Sequence, residues 1–218
     1  MRWRRCRLAV AAVLAVALVS VAAPARAGAP TEQLRAQIDR VVKTLEDPEL
    51  KKEGRALERR RAIRKIAEEI FDFGETAKRS LARHWQARTP AEREEFVALF
   101  TDLLERSYIG KIELFNGEKI AYVGEQVDGD QAVVRTRVIT KQGTEIPVDY
   151  RMLRRGDRWL VYDVVIEGVS LIANYRTQFN KIIQTSSYQE LVKKMKTKQE
   201  EFLEQEKQQA PAGRRAAS

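Results

Sequence analysis

The feature that most constrains the fold is a change of hydrophobic period near residue 118, where helical spacing gives way to alternation. Four alternating segments follow, joined by the short glycine-containing stretches VDGDQ, KQGT and RRGDR. Because such short joints connect neighbouring antiparallel strands, the sequence predicts a four-stranded meander. Its strands are expected near residues 119–126, 131–141, 145–155 and 158–166.

The third and fourth strands differ in the cover that they need. The third is polar at Asp149 and Arg151, and its opposite face carries Ile146, Val148, Tyr150 and Met152. Alternation makes the fourth strand apolar on both faces except at Asp163, with Leu160, Tyr162, Val164 and Ile166 on one face and Trp159, Val161 and Val165 on the other. Helices are therefore expected to cover the fourth strand.

Helical patterns flank the sheet region on both sides. They predict helices from Thr31 to Asp47, from about Leu57 to about Gly74, over GETAKRSLARHW, from Thr89 to Asn116, and from caps at Ser170 and Ser187. The sequence thus predicts an α+β fold, a four-stranded twisted antiparallel sheet covered by several helices. The apolar surface of DVVIEGVSLIANYRTQF, residues 163–179, then fills a core or encloses an apolar cavity, and periodicity alone leaves both readings open.

The first 27 residues have the pattern of a secretory signal peptide. Four arginines precede an apolar run of 16 residues, Leu8–Ala23, which is shorter than the roughly 20 residues that span a bilayer. Ala25 and Ala27 fit a small-x-small cleavage site, so cleavage is expected after Ala27. The protein would then be periplasmic, with a single α+β domain at residues 28–205 and a disordered tail at 206–218.

Cleavage changes the charge and the cysteine content of the chain. It removes five arginines and no acids, so the formal charge falls from +9 to +4. A secreted chain of modest positive charge is a poor candidate for nucleic-acid binding and a mild one for anionic lipid surfaces. The only cysteine, Cys6, lies within the leader, so no disulfide is expected in the mature chain.

Few residues are candidates for chemistry. His84, the only histidine, has no patterned nucleophile and is expected to be a capping or surface residue. Asp163, on an apolar strand, has two readings: a general base with a raised pKa, or an ion-pair partner of Arg176. Asp72 is expected to accept hydrogen bonds at a helix end. No metal site is expected, because ligand-spaced cysteines, histidines and carboxylates are missing.

Four stretches, in order, resemble the periplasmic phospholipid-binding carriers of the Mla (maintenance of lipid asymmetry) ABC transport system, also called the toluene-tolerance family. They are FDFGETAKRSLARHW, TPAEREEFVALFTDLLERSY, RWLVYDVVIEGVSLIANYRTQF and, more loosely, YQELVKKMKTK. The family often has glycine where this chain has His84. The stretch YDVVIEGVSLIANYRTQF is the most specific of them, with its strand, glycine, Ser-Leu and Tyr-Arg-x-x-Phe in the family's positions.

The resemblance implies a non-enzymatic, monomeric shuttle with phospholipid as cargo and no cofactor. Its expected partners are an inner-membrane ABC transporter complex and an outer-membrane lipoprotein–porin complex. The residues expected to line the lipid cavity, or else to be ordinary core, are Leu103, Leu104, Tyr108, Val164, Ile166, Val169, Leu171, Tyr175 and Phe179.

Two other classes of function remain open from the residues alone. One is an enzyme with a cone-shaped pocket that uses Asp163 as its general base. The other is a periplasmic chaperone that holds unfolded clients on exposed helical stripes. Replacing Asp163 with asparagine would test the first reading, and suppressed aggregation of many unrelated outer-membrane proteins would favour the second.

Overall fold

The computed structural model describes residues 28–52 and 54–209, with side chains as far as residue 205. The expected signal peptide lies outside the described residues, as do residues 210–218 of the expected tail. Six α-helices are described: α1 (Ala29–Glu46), α2 (Ala56–Ile70), α3 (Phe73–Leu81), α4 (Pro90–Glu113), α5 (Leu171–Thr185) and α6 (Tyr188–Gln209). A 3₁₀ turn, Ala82–His84, follows α3. None of the described helices is both long and apolar enough to span a bilayer.

The sheet is an antiparallel meander in sequence order. Its strands are β1 (Lys119–Asp128), β2 (Gln131–Ile139), β3 (Glu145–Arg155), β4 (Arg158–Ile166) and β5 (Val169–Ser170). The α+β prediction is confirmed. The sheet has a fifth strand that was not predicted, because a strand of two residues is too short to show alternation. It forms because Glu167 and Gly168 both take positive φ, 50° and 81°, which closes a tight hairpin back onto β4.

A β-bulge in β4 changes the face assignment made from simple alternation. Val161 pairs with Met152 and Val164 pairs with Tyr150, which leaves Tyr162 as the extra residue. Met152 and Tyr150 lie on one face of β3, so Val161 and Val164 share a face as well. The prediction that they lie on opposite faces is wrong, because one inserted residue reverses the alternation.

The second helix is expected to end near Gly74, but α2 ends at Ile70 because Phe71 takes an extended backbone that bridges to Val161 of β4. Gly74 lies within α3.

The starts of α4 and α5 follow their capping signals, whereas the start of α1 does not. Thr89 and Glu92 form the predicted capping box of α4, and Ser170 accepts the amide N–H of Ala173 at the start of α5. Thr31 is not the N-cap of α1, which begins two residues earlier, after Gly28. Instead, the backbone N–H and the hydroxyl of Thr31 both donate to the Glu125 carboxylate of β1, at 2.8 and 2.6 Å.

The apolar core of the described residues is divided into clusters. The helical cluster is formed by α3, α4, α5 and α6 and contains Phe96, Phe100 and Phe179. The sheet cluster joins α1 and α2 to the inner face of the sheet, which carries Val134, Met152 and Val161. A smaller cluster, Leu45, Ile63 and Ile109, joins α1, α2 and α4. Strand β4 contacts helices of both sets, α1 and α2 of the sheet cluster and α3 and α5 of the helical cluster.

A charged contact also joins the two sets of helices. The Glu113 carboxylate of α4 accepts hydrogen bonds from Arg59 and Arg60 of α2, at 2.8 and 2.9 Å. Burial opposes ionisation of Glu113, but the bonds from Arg60 and Arg59 outweigh it and lower the pKa of the carboxyl. This contact holds the end of α4 beside α2.

Candidate functional site

The helical side of the predicted site lies on α4 and α5. Leu103, Leu104 and Tyr175 are partly buried and pack against the helical cluster. Phe179 is a member of that cluster, only 4% exposed, with its ring edge-on to Phe100 at a centroid distance of 5.2 Å. Phe179 therefore has the environment of a core residue, whereas the other three keep part of their apolar surface uncovered.

The sheet side lies around β4 and the start of α5, which packs beside that strand. Val164 packs against the sheet cluster but remains partly exposed, as do Ile166 and Leu171. Val169, in the short strand β5, is 59% exposed. Thus Val164 and Ile166 of β4, together with Leu171 at the start of α5, add partly covered apolar surface, and Val169 lies at the periphery of the molecule.

Two tyrosines, Tyr108 and Tyr150, add hydroxyl groups to these mostly apolar residues. Burial raises the pKa of the Tyr108 phenol, and its interaction with Tyr175, which includes a hydrogen bond, adds to the effect. Burial also raises the pKa of Tyr150 to about 12, against a smaller opposing effect of a hydrogen bond with Thr136. These phenols therefore stay neutral at physiological pH. They offer hydrogen bonds to a ligand without introducing charge.

Tyr150 is a candidate that the predicted site omitted. It lies on the inner face of β3 and pairs with Val164 of the predicted set. The signal was present in the sequence, since Tyr150 belongs to the apolar face of the third strand together with Val148. Partly covered apolar side chains with a few neutral hydroxyls suit a ligand that is mostly hydrocarbon.

Asp163 lies on the opposite, outer face of the sheet, because it pairs with Arg151 of β3. Its carboxylate accepts hydrogen bonds from Arg151 at 3.1 Å, from the Ser170 hydroxyl at 2.7 Å and from the Ile172 backbone N–H at 3.1 Å. The ion pair is present, but its predicted partner, Arg176, is wrong. The partner is the cross-strand neighbour, which the bulge at Tyr162 brings opposite Asp163.

The contacts of Asp163 are those of a structural residue. They tie β4 to β3, to β5 and to the first turn of α5, and the residue is 4% exposed. A general base needs a lone pair directed at substrate, whereas three fixed donors stabilise this carboxylate as a charged acceptor. The geometry therefore favours the ion-pair reading over the catalytic one.

The other two candidates for chemistry have local roles. Asp72 accepts the Glu75 backbone N–H at 2.9 Å as the N-cap of α3, which confirms the prediction, and it also pairs with Arg155. His84 lies at the end of the 3₁₀ turn, with Nε2 3.0 Å from the Asn180 side-chain oxygen. Across the part of the chain that the structure describes, no group of His, Cys, Asp and Glu side chains is arranged to hold a metal ion.

Comparisons with known proteins agree with this fold. The structure is similar to that of the phospholipid-binding protein from Ralstonia solanacearum, solved in complex with a phospholipid, with a TM-score of 0.71 and 25% sequence identity. The similarity covers 79% of this chain and 97% of that one. The fold therefore places the chain in the class of α+β proteins that includes this phospholipid-binding protein.

The sequence identifies the family within that class. The profile of the MlaC protein family matches residues 35–197, so the chain belongs to the MlaC family. The intermembrane phospholipid transport system binding protein MlaC of Haemophilus influenzae is 27% identical over 120 residues, which make up 53% of this chain and 56% of that relative. The matched region thus spans little more than half the length of this relative.

Proposed function

We propose that this protein is a periplasmic phospholipid carrier that shuttles lipid between outer-membrane and inner-membrane complexes of an ABC transport system and so maintains the asymmetry of the outer membrane. The observation that carries the proposal is the set of partly covered apolar side chains that pack against the helical cluster and against the sheet cluster, in a fold shared with a phospholipid-bound relative. The proposed cargo is a phospholipid, with no cofactor and no catalytic step.

The physical need for such a carrier is large. About thirty acyl methylenes exposed to water cost on the order of 24 kcal/mol at roughly 0.8 kcal/mol each. A covered apolar surface removes that cost during passage between membranes. Since a bilayer interior is equally apolar, the carrier itself gains little over the membrane, and the direction of transport must come from its partners. The proposed partners are an inner-membrane ABC transporter complex and an outer-membrane lipoprotein–porin complex.

The residues proposed to line the acyl-chain site are those that are apolar and partly covered. Leu103, Leu104, Tyr108 and Tyr175 supply the helical wall, and Val164, Ile166 and Leu171 supply the sheet wall. Tyr150 is added to the sheet wall. Val169 is assigned to the mouth of the site because of its exposure, and Phe179 supports the wall from behind Tyr175.

The proposal includes the processing of the chain. Residues 1–27 are proposed to direct export and to be removed after Ala27. Residues 28–205 would form a single lipid-binding domain that acts as a monomer, and residues 206–218 would be a tail without a role in cargo binding. Export would place the carrier between the two membranes that its partners occupy.

A pair of matched tryptophan variants tests the lining. Val164→Trp adds a large side chain to the proposed sheet wall and should displace bound phospholipid. Val133→Trp adds the same side chain to a central strand opposite Arg151, on the outer face of the sheet, and should leave the cargo in place. Both are measured as phospholipid phosphorus per protein and as the midpoint of urea unfolding. Equal loss of lipid in both variants, or loss of stability without loss of lipid in Val164→Trp, would return Val164 to the core.

The catalytic alternative is tested at Asp163. An Asp163→Asn variant that retains lipid and loses only stability supports the structural role of this carboxylate. Loss of a turnover at unchanged lipid content and stability would support an enzyme instead.

A further inference from the structure

A second concave surface lies on the outer face of the sheet. It is a cleft of about 430 Å³ between α3, α5 and the β3–β4 pair, and it contains Arg151, Tyr162 and Asp163. Because Arg151 and Asp163 point away from the inner face that carries Tyr150 and Val164, this cleft is separate from the proposed acyl-chain site. Its volume falls within the range of sites for small ligands.

The cleft is electropositive. Four basic side chains line it, Lys78, Arg79, Arg151 and Arg176, against two acidic ones, Glu75 and Asp163. The cleft therefore has two more cationic than anionic groups.

Both acids are already neutralised. Glu75 pairs with Arg79 at 2.8 Å and with Arg155, from outside the cleft, at 3.4 Å. Asp163 is held by Arg151, Ser170 and the backbone of Ile172. Neither carboxylate is therefore available to neutralise the remaining cations.

Three of the basic side chains keep donors for a ligand. The side chain of Arg176 is exposed and makes no ion pair or hydrogen bond with any other described residue. One guanidinium nitrogen of Arg151 donates a hydrogen bond to Asp163, and the Arg151 side chain is 45% exposed. Lys78 lies 3.8 Å from its nearest carboxylate, which is already bound by two arginines. Guanidinium groups with free nitrogens bind phosphate and carboxylate oxygens in pairs.

The other side chains that line the cleft limit the size and the chemical class of the ligand. Trp85, Ala82 and Ala173 give part of the cleft an apolar wall, and the Arg79 guanidinium lies over the Tyr162 ring at 4.1 Å. A small group with one or two negative charges and a short carbon portion matches this lining in size and charge. An extended acidic peptide would need an open surface rather than a cleft of this volume.

We propose that this cleft is a binding site for a phosphate group, either of a free small molecule or of a lipid headgroup at a membrane surface. Arg176, Arg151 and Lys78 would bind the phosphate oxygens, and Trp85 would pack against the carbon portion. Arg176 directly follows Tyr175, so the two side chains leave α5 about 100° apart around the helix. The phosphate site and the proposed cargo site thus share α5 as a wall, while the phosphate site does not depend on cargo being present.

The test uses the mature chain, residues 28–218, as purified. Inorganic phosphate and glycerol 3-phosphate are titrated by calorimetry, and the Trp85 indole N–H is followed by NMR. Vesicles of phosphatidylcholine with phosphatidylglycerol are tested by co-sedimentation. Arg176→Gln is compared with Arg61→Gln, which removes the same charge from an exposed position on α2. Lipid content is measured in every variant, so that a change in cargo is distinguished from a change in phosphate binding.

We expect Arg176→Gln to weaken binding by about tenfold, as expected for loss of a charge-assisted contact, and Arg61→Gln to leave it unchanged. Arg176-dependent binding of the two soluble probes identifies a free phosphate compound as the ligand. Arg176-dependent binding of the vesicles alone identifies a headgroup.

Three outcomes would overturn the proposal. One is equal weakening by the two variants, which would indicate a general charge effect. Another is the absence of binding to any of the phosphate probes. The third is Arg176-dependent binding of a glutamate-rich peptide in place of all of these probes, since that would make the cleft a protein-docking site.

Discussion

The interior of the helical cluster and the residues at its margin are built from similar side chains but differ in how completely they are covered. Phe96 is 0% exposed, and it packs against Phe100 and Phe179 with ring-centroid distances of 5.8 and 5.6 Å. Leu104 and Tyr175, on the same two helices as these rings, remain partly exposed. Protein interiors are normally packed without voids. The comparison therefore separates residues that hold the fold together from residues that are free to meet a ligand.

The largest expected effect on stability is in the interior of the helical cluster. Phe96→Ala removes a fully buried ring from the helical cluster and should lower the free energy of unfolding by about 3–5 kcal/mol. Urea denaturation followed by circular dichroism measures it. A loss below about 1 kcal/mol would show that the helical cluster is loosely packed and does not differ from the partly covered residues.

Two leucines that differ in burial, Leu191 and Leu104, should differ in their contribution to stability. Leu191→Ala, in the helical cluster at 1% exposure, should cost about 2–5 kcal/mol. Leu104→Ala, at the partly covered surface, should cost less than about 1.5 kcal/mol, because less apolar area is lost from a site that is already incomplete. The same denaturation assay is used for both, after removal of lipid. Equal costs would mean that Leu104 is ordinary core.

The contact between the two sets of helices should depend on pH. The pKa of Glu113 is lowered in the folded state, so its contribution is complete above the ordinary value of 4.5 and is lost as the pH falls through the lowered folded value. Glu113→Gln should cost about 1 kcal/mol at pH 7. It should also make unfolding less sensitive to pH between about 5 and 3 than in the parent. Parallel pH profiles would show that Glu113 does not hold α4 to α2.

The smallest expected effect on stability is at Tyr150. Tyr150→Phe removes one hydroxyl from the partly covered surface and should cost about 1 kcal/mol or less. Since burial raises the pKa of Tyr150 to about 12, folding favours the neutral phenol. This contribution is present below the ordinary value of 10 and is lost as the pH rises toward 12. Ultraviolet titration should show one late-ionising tyrosine fewer in the variant. Loss of a phenol that ionises near the ordinary value of 10, with the late-ionising tyrosines unchanged, would place Tyr150 in contact with solvent.

The sequence predicts most of the fold because its strongest signals are local. The bounds of β3 and β4 follow from alternation and from the glycine joint between them, and the start of α4 follows from Thr89 and Glu92. The bulge at Tyr162 and the contact of Thr31 with Glu125 were missed, since both depend on pairing between distant segments. The pairing of Asp163 with Arg151 rather than with Arg176 has the same cause.

The candidate site is harder to predict than the fold. Periodicity identifies Tyr175, Phe179 and Val164 equally well as inward-facing residues. Whether their neighbours fill the adjacent space depends on tertiary packing, which leaves Phe179 only 4% exposed and leaves Tyr175 and Val164 partly covered. A cavity wall and a core thus have the same local sequence pattern.

The most direct test of the carrier proposal is native mass spectrometry of the mature chain, residues 28–218, purified from a periplasmic extract without detergent. Organic extraction and lipid analysis of the released ligand would follow. We expect a phospholipid bound at fixed stoichiometry and released intact. A mass without ligand that stays unchanged after incubation with liposomes would contradict the carrier proposal and would mean that the partly covered residues are ordinary core.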